Sequence, residues 1–417
     1  MKKLPIGKST FQTLIEENYV YVDKTYFAYD LIEKGGGYYF LSRPRRFGKS
    51  LFLDTLRTIF EGKKELFKGL YIYDEYDWSK TYPVIHISFG GGISKSISEL
   101  QEDIMRNLKR NQKELKLTVD DISSIRGYFQ DLIIKAYEAY NQKVVILIDE
   151  YDKPILDNIE NKELATQIRD ELKSFYSIIK DSDRYLKFVF ITGVSKFSKV
   201  SLFSGLNNLN DITLNPNYAT ICGYTQKDIE TVFYEYLKEQ DYTKIREWYN
   251  GYQWLGEPVY NPFDILLFIS NNYQYRNYWF TTGTPAFLLK LIEKNRYYLP
   301  NLETVIKDDQ MLDSFDVDSI ELETLMWQTG YLTIDRMETL LDKIEYYLKI
   351  PNKEVQQSIY GVFADYLSKI QNSNIYVNGV IRSLLELNFE EFEKQIQSLF
   401  AAIPYNNFTG AKLYEYE

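Results

Sequence analysis

Gly48, Lys49 and Ser50 follow one another in a segment that the sequence predicts to lie between a short strand and an amphipathic helix. In a phosphate-binding loop, a glycine lets backbone N–H groups face the phosphates, a lysine reaches the β- and γ-phosphates, and a hydroxyl binds Mg²⁺ at the helix N-terminus. The three residues have the types and the order that this chemistry needs. The full motif has another glycine five residues before Gly48, where this chain has Arg43.

The triplet at 48–50 is short, and a Gly-Lys-Ser/Thr match arises by chance about once in every five chains of this length. A second copy, Gly7-Lys8-Ser9, follows no predicted strand, and we interpret it as a chance match. For the copy at 48–50, the alternative is a basic loop at the start of a helix.

Two adjacent carboxylates, Asp149 and Glu150, end an apolar segment that begins at Val144. In P-loop ATPases such a strand places its aspartate beside the magnesium ion, and a neighbouring glutamate orients and deprotonates the attacking water. Asp149 is the candidate for the first role and Glu150 for the second. The alternative is an acidic strand end facing solvent, but the order of the two motifs and their separation of roughly 100 residues favour a shared phosphate site.

A polar residue also ends the next predicted strand, where Thr192 follows Ile191. A hydroxyl at this point, between the two motif strands, is a candidate sensor of the γ-phosphate, and Ser195 and Lys196 are weaker candidates. The alternative for Thr192 is a hydroxyl that caps a strand end. Asp152 either supports the metal site or pairs with its neighbour Lys153.

Arg45 and Arg46 are unusual within a phosphate-binding loop. They either add charge-assisted hydrogen bonds to phosphate or pair with an Asp or Glu from another domain. We interpret His86, on a predicted strand, as a core histidine rather than a catalytic base. Nothing near Cys222 indicates a reactive thiol.

Composition narrows the chemistry that the 417-residue chain can perform, because it has one cysteine, one histidine and a net charge of −10. A single cysteine excludes an internal disulfide and a four-cysteine zinc site, and a single histidine excludes a multi-histidine metal site. No segment approaches the roughly 20 apolar residues needed to cross a bilayer, and the N-terminus lacks the apolar core of a signal peptide, so we expect a cytoplasmic protein without a membrane partner. The negative charge disfavours nucleic acid unless a local basic patch binds it.

The elements that must position these residues alternate between strand-like and helix-like over roughly the first 220 residues, which predicts an α/β fold with a mostly parallel sheet. The predicted strands are 38–41, 84–89, 144–148, 186–191 and a shorter fifth candidate, 218–221. After Gly223 the pattern becomes mostly helical, and a helix–strand–strand–helix order beyond residue 320 is typical of a winged-helix module. The predicted domains are a P-loop domain at 1–222, a helical lid at 223–310, a winged-helix module at 311–372 and a helical tail at 373–417.

Several segments resemble the predicted AAA-ATPase-like family of bacteria and archaea, and the resemblance is collinear over about residues 1–355. The similar segments are Leu4-Pro5-Ile6-Gly7, Tyr21-Val22-Asp23-Lys24-Thr25, Arg43-Pro44-Arg45-Arg46-Phe47-Gly48-Lys49-Ser50, Ile148-Asp149-Glu150-Tyr151-Asp152-Lys153-Pro154, Ile191-Thr192-Gly193-Val194-Ser195-Lys196, Trp248-Tyr249-Asn250-Gly251-Tyr252, Tyr260-Asn261-Pro262 and Gln328-Thr329-Gly330-Tyr331-Leu332. The Arg-Pro-Arg-Arg form of the loop is itself similar to that of the family.

This resemblance implies a P-loop NTPase of the additional-strand class, in which a fourth strand lies between the two motif strands. It implies binding of ATP and Mg²⁺, usually with hydrolysis, and no settled substrate. The implied ATP-binding residues are Arg45, Arg46, Phe47, Gly48, Lys49, Ser50 and Leu51. Ser50 and Asp149 are the implied metal ligands.

Proteins of this kind often continue into a PD-(D/E)XK nuclease domain, which holds Mg²⁺ with an Asp and a Glu-x-Lys on adjoining strands. We find no such strands after residue 355, so nuclease activity is not carried over to this chain. Either the tail is a truncated form of that domain, or the nuclease domain is absent.

The leading hypothesis is a magnesium-dependent ATPase, or ATP-gated switch, whose C-terminal half contacts a protein or nucleic-acid partner. A second hypothesis is a nucleotide-binding scaffold that does not hydrolyse ATP. A third is a nucleic-acid-binding module that uses the winged-helix region near Lys343 and Lys349. The sequence does not predict the oligomeric state.

Overall fold

The protein is described by a computed structural model at residues 1–121, 123–196, 199–203, 206, 208–280, 305–308, 312, 321–368 and 374–401. The chain divides into two compact units, Met1–Asn352 and Lys353–Glu417. All of the candidate site residues lie in the first unit. No helix within the described ranges is long and apolar enough to cross a membrane.

A five-stranded parallel sheet forms the centre of the N-terminal half. Its strands are β1 (Tyr38–Ser42), β2 (Val84–Ser88), β3 (Val144–Asp149), β4 (Leu186–Gly193) and β5 (Asn210–Asp211). They lie in the order β2-β3-β4-β1-β5, and each pairs in parallel with its neighbours. β1 and β3 are buried along their whole length, which explains why both are rich in apolar residues on both faces. The predicted parallel sheet, with one strand between the two motif strands, is confirmed.

The fifth strand is not where the sequence predicts it, and the prediction at 218–221 is wrong. The chain forms a 3-10 helix at Pro216–Tyr218 and continues through turns and bends. The Asn215 side chain accepts a hydrogen bond from the Asn217 N–H at 3.0 Å, and Pro216 fixes φ in the first turn. Both features favour a turn over an extended strand. The actual edge strand, β5, has only two residues, so no apolar pattern marks it.

Helices connect the strands and cover the sheet. Their bounds are α1 (Phe11–Glu16), α2 (Thr25–Glu33), α3 (Lys49–Phe60), α4 (Ile72–Glu75), α5 (Ile97–Glu114), α6 (Ile125–Tyr140), α7 (Lys153–Leu156), α8 (Lys162–Asp181) and α9 (Lys199–Leu202). α3 packs against β2, β3 and β4, whereas α5, α6 and α8 pack on one another. Two helices, α5 and α6, connect β2 to β3, and Ser124 begins the second by accepting a hydrogen bond from the Gly127 N–H.

Short helices follow the sheet and share a core with the N-terminal residues Val20 and Val22. They are α10 (Gln226–Thr231), α11 (Tyr234–Leu237), α12 (Tyr242–Tyr249) and α13 (Pro262–Ser270). α10 begins with a capping box in which Thr225 and Asp228 each bond the backbone of the other. α13 begins with an Asn261 cap. The sequence predicts both of these helix starts.

A three-stranded antiparallel sheet completes the first unit. It contains β6 (Val305–Asp308), β7 (Thr333–Leu340) and β8 (Lys343–Lys349) in the order β6-β8-β7. A helix, α14 (Leu322–Thr329), comes before β7 along the chain. The sequence predicts the last two strands but not the four-residue β6. The winged-helix interpretation stays a prediction.

The second unit is helical where the structure describes it. Its helices are α15 (Lys353–Ser368), α16 (Asn374–Leu385) and α17 (Phe389–Ala401), and α16 packs against α17. α16 and α17 lie within the predicted helical tail, whereas α15 lies within the predicted winged-helix module. Residues 402–417 of that tail lie outside the described residues, and the predicted domain boundaries stay predictions.

Candidate functional site

The candidate residues follow the carboxyl ends of β1, β3 and β4, which meet at one edge of the sheet. Ser42 on β1 is in register with Gly193 on β4, and Ser88 on β2 is in register with Asp149 on β3. Because all the strands are parallel, residues 43–48, here called the phosphate loop, share this edge with Asp149. The ammonium of Lys49 and the carboxylate of Asp149 are close enough to shift each other's pKa.

Two residues give the phosphate loop its turn. Gly48 has a left-handed backbone with φ of 95° and caps α3, a conformation that a glycine adopts without strain. Arg46 also has a positive φ, 68°, which is uncommon for a residue with a side chain. The turn brings the N-terminus of α3, which carries partial positive charge, directly after the loop.

Lys49 lies inside the loop and is 7% exposed. Its Nζ donates hydrogen bonds to the carbonyl oxygens of Arg43 at 2.8 Å and Pro44 at 2.9 Å. Burial lowers the pKa of the ammonium, and the charge of Asp149 acts in the opposite direction. The positive charge is therefore held by loop carbonyls, at the place where a phosphate group would lie in a P-loop site.

Asp149 is a buried carboxylate beside Ser50 and Lys49. The residue is 5% exposed, and burial raises the pKa of the carboxyl, while a hydrogen bond from Ser50 and the charge of Lys49 lower it. Its Oδ1 atom is buried and accepts no hydrogen bond from the described residues. Mg²⁺ prefers carboxylate and hydroxyl oxygens, so Asp149 and Ser50 fit this ion. The described residues contain no group of three or more His, Cys, Asp or Glu placed to hold a metal.

Glu150 lies next to this pair with a left-handed backbone, φ 55°. Its Oε2 is 3.3 Å from the position that a Cβ would occupy on Gly90, just after β2. The carboxylate is therefore directed towards the segment after β2, and the residue is half-buried, so that water can reach it. A side chain at position 90 would crowd the carboxylate.

Thr192 is buried at the end of β4, and its hydroxyl donates to the carbonyl oxygen of Leu41 at 2.9 Å. This contact has the geometry of the capping alternative, and a sensing role stays a prediction. Of the weaker candidates, Lys196 pairs with Asp211 at 3.0 Å, and Ser195 bonds Asp152.

Asp152 organises the turn that follows β4. Its buried carboxylate accepts hydrogen bonds from the Ser195 N–H at 2.7 Å, the Ser195 hydroxyl at 2.6 Å and the Val194 N–H at 3.2 Å. Lys153 instead pairs with Asp157 at 2.5 Å. Asp152 thus holds the turn after β4, and support of the metal site by this residue stays a prediction.

Arg45 and Arg46 are exposed, in contrast to Phe47, which is buried. The Arg46 guanidinium lies over the ring of Phe263 at 4.9 Å. In the described part of the chain no carboxylate forms an ion pair with either arginine, so the alternative pairing is not seen there. Leu51, in the first turn of α3, is half-buried, and its carbonyl accepts from Thr55 at 2.8 Å.

Residues far along the chain build the wall of the phosphate loop, and the sequence analysis missed them. The Phe47 ring packs edge-on against Tyr252 at 4.8 Å and Trp254 at 5.5 Å. The Trp279 indole N–H donates to the Arg45 carbonyl at 3.2 Å. Of these distant residues, Tyr252 alone lies in one of the family-like segments, and no motif contains Trp254 or Trp279.

Gly330 is required where it meets the loop. A Cβ at this position would lie 2.9 Å from two atoms of the Pro44 ring, and its φ of 94° is left-handed. Both facts exclude a larger residue without a shift of the loop.

Arg43, at the position of the missing glycine, is fully buried. Its guanidinium donates to the carbonyl oxygens of Ser42 at 2.8 Å, Thr213 at 2.9 Å and Tyr218 at 3.2 Å, and lies over the Trp254 ring at 4.1 Å. Burial lowers its pKa to about 10.

His86 and Cys222 have the environments of core residues. Burial, together with the charges of Arg57 and Arg110, lowers the pKa of His86 to about 4, so the imidazole is neutral at pH 7. Burial also raises the pKa of the Cys222 thiol, which disfavours a reactive thiolate.

A five-stranded parallel sheet, with a Gly-Lys-Ser loop after β1 and a carboxylate pair after β3, is consistent with a P-loop NTPase. The chain belongs to the predicted AAA-ATPase family, whose sequence model matches residues 5–203. It is also 46% identical over 418 residues to an uncharacterized protein in the vnfD 5′ region of Azotobacter chroococcum mcd 1. That alignment covers 100% of this chain and 80% of the relative.

Proposed function

We propose that this protein is a magnesium-dependent ATPase that works as a nucleotide-gated switch. Residues 45–51, which comprise most of the phosphate loop and the start of α3, bind the triphosphate. Lys49 contacts the β- and γ-phosphates. Ser50 and Asp149 would hold Mg²⁺, which would supply positive charge to neutralise the phosphates. Glu150 orients and deprotonates the water, and Thr192 senses the γ-phosphate.

The observation that carries this proposal is the buried Oδ1 of Asp149, which accepts no hydrogen bond within the described part of the chain although Ser50 and Lys49 lie beside it. An unsatisfied buried carboxylate oxygen costs about 1–3 kcal/mol or more, so a folded protein retains one where a ligand completes it. A cation that also contacts phosphate would satisfy the carboxylate. The same cation explains why the hydroxyl of Ser50 belongs beside it.

Lys49 supports the proposal because a phosphate group can replace its present hydrogen-bond partners. Two neutral carbonyls of the loop hold its ammonium at 2.8 and 2.9 Å. A phosphate oxygen carries charge, and charge-assisted hydrogen bonds are roughly twice as strong as neutral ones. Phosphate would therefore draw the ammonium away from Arg43 and Pro44.

A switch also needs contacts that change with the nucleotide, and the phosphate loop has several. Phe47 contacts Tyr252 and Trp254, and the Arg45 carbonyl bonds Trp279, all in the segments after the parallel sheet. Any rearrangement of the loop on ATP binding would disturb these side chains. The helical segments after Gly223 would then act as a lid that reports the nucleotide state.

For the partner of the C-terminal half, charge favours a protein over a nucleic acid. Two of the three basic residues of the β7–β8 hairpin form ion pairs, since Lys349 pairs with Asp335 at 2.6 Å and Arg336 with Glu338 at 2.7 Å. A nucleic-acid surface would need unpaired basic groups. We therefore expect the winged-helix region to bind a protein partner rather than DNA or RNA.

The test measures Mg-ATP binding by calorimetry and phosphate release in the parent, Lys49→Ala and Glu150→Gln. We expect Lys49→Ala to weaken ATP binding by about tenfold or more, since it removes charged hydrogen bonds to phosphate. We expect Glu150→Gln to bind ATP but lose turnover. Lys8→Ala is the matched control, because it alters the exposed lysine of the second Gly-Lys-Ser triplet.

Three outcomes separate the alternatives. Equal ATP affinity in the parent and Lys49→Ala would show that the site lies elsewhere. Binding without turnover in the parent, unchanged by Glu150→Gln, would favour the non-hydrolysing scaffold. Salt-dependent DNA binding lost on charge reversal at Lys343 and Lys349 would favour the nucleic-acid-binding module.

A further inference from the structure

The phosphate loop begins with a buried cation in place of the glycine that the general motif has there. Arg43 is 0% exposed, and within the described residues all its hydrogen bonds go to backbone carbonyls. Burying a guanidinium without a bonded carboxylate is costly, and the carbonyl dipoles and the face of Trp254 offset that cost only in part. The buried charge of Arg43 therefore serves to hold the backbone around it in place.

The three carbonyls show which parts of the backbone the Arg43 guanidinium holds. Ser42 ends β1, Thr213 follows β5, and Tyr218 ends the 3-10 helix at Pro216–Tyr218. One planar guanidinium therefore ties the first residue of the loop to the end of its own strand, to the end of the edge strand and to the next turn. The five fixed donors of an arginine suit this better than any other side chain.

The backbone of Arg43 transmits the constraint to the site. Its carbonyl oxygen accepts the hydrogen bond from Lys49 at 2.8 Å, so the residue that anchors the loop also holds the phosphate-binding lysine. Trp254 contacts both the Arg43 guanidinium at 4.1 Å and the Phe47 ring at 5.5 Å, and so joins the two ends of the loop.

A glycine is not needed at this position for steric reasons. Positive φ values in the loop occur at Arg46 and Gly48 and not at Arg43. The backbone at position 43 therefore does not require a glycine, and the side chain can serve as an anchor.

We propose that Arg43 is a positioning residue for nucleotide binding: its guanidinium fixes the phosphate loop, and through it Lys49, in the shape that accepts a triphosphate. This inference rests on the proposed function of the site. It assigns to arginine the task of setting the loop conformation, for which other phosphate-binding loops use glycine. Restoring the glycine should then impair the site, although the sequence would match the general motif more closely.

The experiment compares the full-length parent with Arg43→Gly, Arg43→Lys and the control Arg184→Gly. Arg184 is an exposed arginine just before β4, at the opposite end of the strands from the site. Mg-ATP affinity is measured by calorimetry, and thermal unfolding is followed without nucleotide. We expect Arg43→Gly to bind Mg-ATP at least about tenfold more weakly, since several hydrogen bonds of a charged group are lost. Arg43→Lys should be intermediate, and Arg184→Gly should match the parent.

Chemical rescue separates positioning from general destabilisation. Methylguanidinium fits the space that Arg43→Gly leaves, so it should recover part of the ATP affinity of that variant and none in Arg184→Gly. A folded Arg43→Gly that binds Mg-ATP as tightly as the parent would overturn the inference. If Arg43→Gly does not fold, Arg43→Lys decides, and parental affinity in that variant overturns the inference equally. Absence of ATP binding by the parent itself would instead refute the proposed function, and this inference with it.

Discussion

The hydroxyl of Thr192 and the carbonyl oxygen of Leu41 are joined by a hydrogen bond of 2.9 Å across two strands that are in register at these residues. Leu41 lies on the strand that leads into the phosphate loop, and Thr192 ends the neighbouring strand. The bond uses the only proton of the hydroxyl. To donate to a γ-phosphate, the hydroxyl must first leave Leu41, which gives a sensor two alternative positions.

Replacing Thr192 with valine tests this pair, because valine keeps the shape and removes the hydroxyl. We expect the free energy of unfolding to fall by about 0.5–1.5 kcal/mol, because a buried hydrogen bond to the Leu41 carbonyl is lost. We also expect slower ATP turnover at nearly unchanged ATP affinity. Urea denaturation and steady-state kinetics measure the two effects, with Thr192→Ser as the control that keeps a hydroxyl. Parental turnover in a destabilised Thr192→Val would leave Thr192 with the capping role alone.

Asp149→Asn should reduce ATP affinity only when Mg²⁺ is present. The amide retains the size of the carboxylate but loses the charge that binds the cation, while the loop that contacts phosphate is unchanged. ATP affinity is measured by calorimetry in the presence of Mg²⁺ and again in the presence of a chelator, so that each variant serves as its own control. A variant that loses affinity equally under both conditions would place the metal away from Asp149.

Arg46→Ala should lower ATP affinity, whereas Phe263→Leu should not. A cation–π contact at an exposed site contributes about 0.5–1 kcal/mol, and a charged hydrogen bond to phosphate about 1.5–3 kcal/mol, so Arg46 is expected to exchange Phe263 for phosphate. The expected loss in Arg46→Ala is therefore about tenfold. Nucleotide affinity of both variants is measured beside the parent. Equal affinity in Arg46→Ala and the parent would leave the guanidinium on Phe263.

The only histidine should make stability depend on pH. Its pKa is lowered to about 4 in the folded state, against 6.5 for an exposed histidine, so below pH 6.5 the unfolded chain binds a proton that the folded chain does not. Stability therefore falls as the pH drops towards 4, by about 2 kcal/mol between pH 8 and pH 5. Urea denaturation of the parent and His86→Gln at both pH values measures this term. An identical pH dependence in the two proteins would assign the effect to the carboxylates.

Much of the parallel sheet could be predicted from local pattern. Apolar segments such as Val144–Asp149 have no alternation because both faces are buried, and the residues at their ends mark the sheet edge. Short strands escape this reasoning, since Asn210–Asp211 pairs through its backbone and has no apolar side chain to reveal it.

The site could be predicted only where adjacent residues carry the chemistry. Gly48, Lys49 and Asp149 belong to local motifs. The wall formed by Trp254, Trp279 and Gly330 depends on tertiary contacts, and nothing in their own segments states which loop they meet. The buried state of Arg43 was equally hidden, because an arginine in a basic loop is ordinarily solvated.

The wall of the phosphate loop has a consequence for how the protein is made. The Arg45 carbonyl and the Trp279 indole that bonds it are separated by 234 positions, and the glycine that seats Pro44 is at position 330. A ribosome releases these residues long after the parallel sheet has emerged. Until then the ring of Phe47 lacks its contacts with Tyr252 and Trp254. A chain that ended before these residues would contain the phosphate loop without its wall.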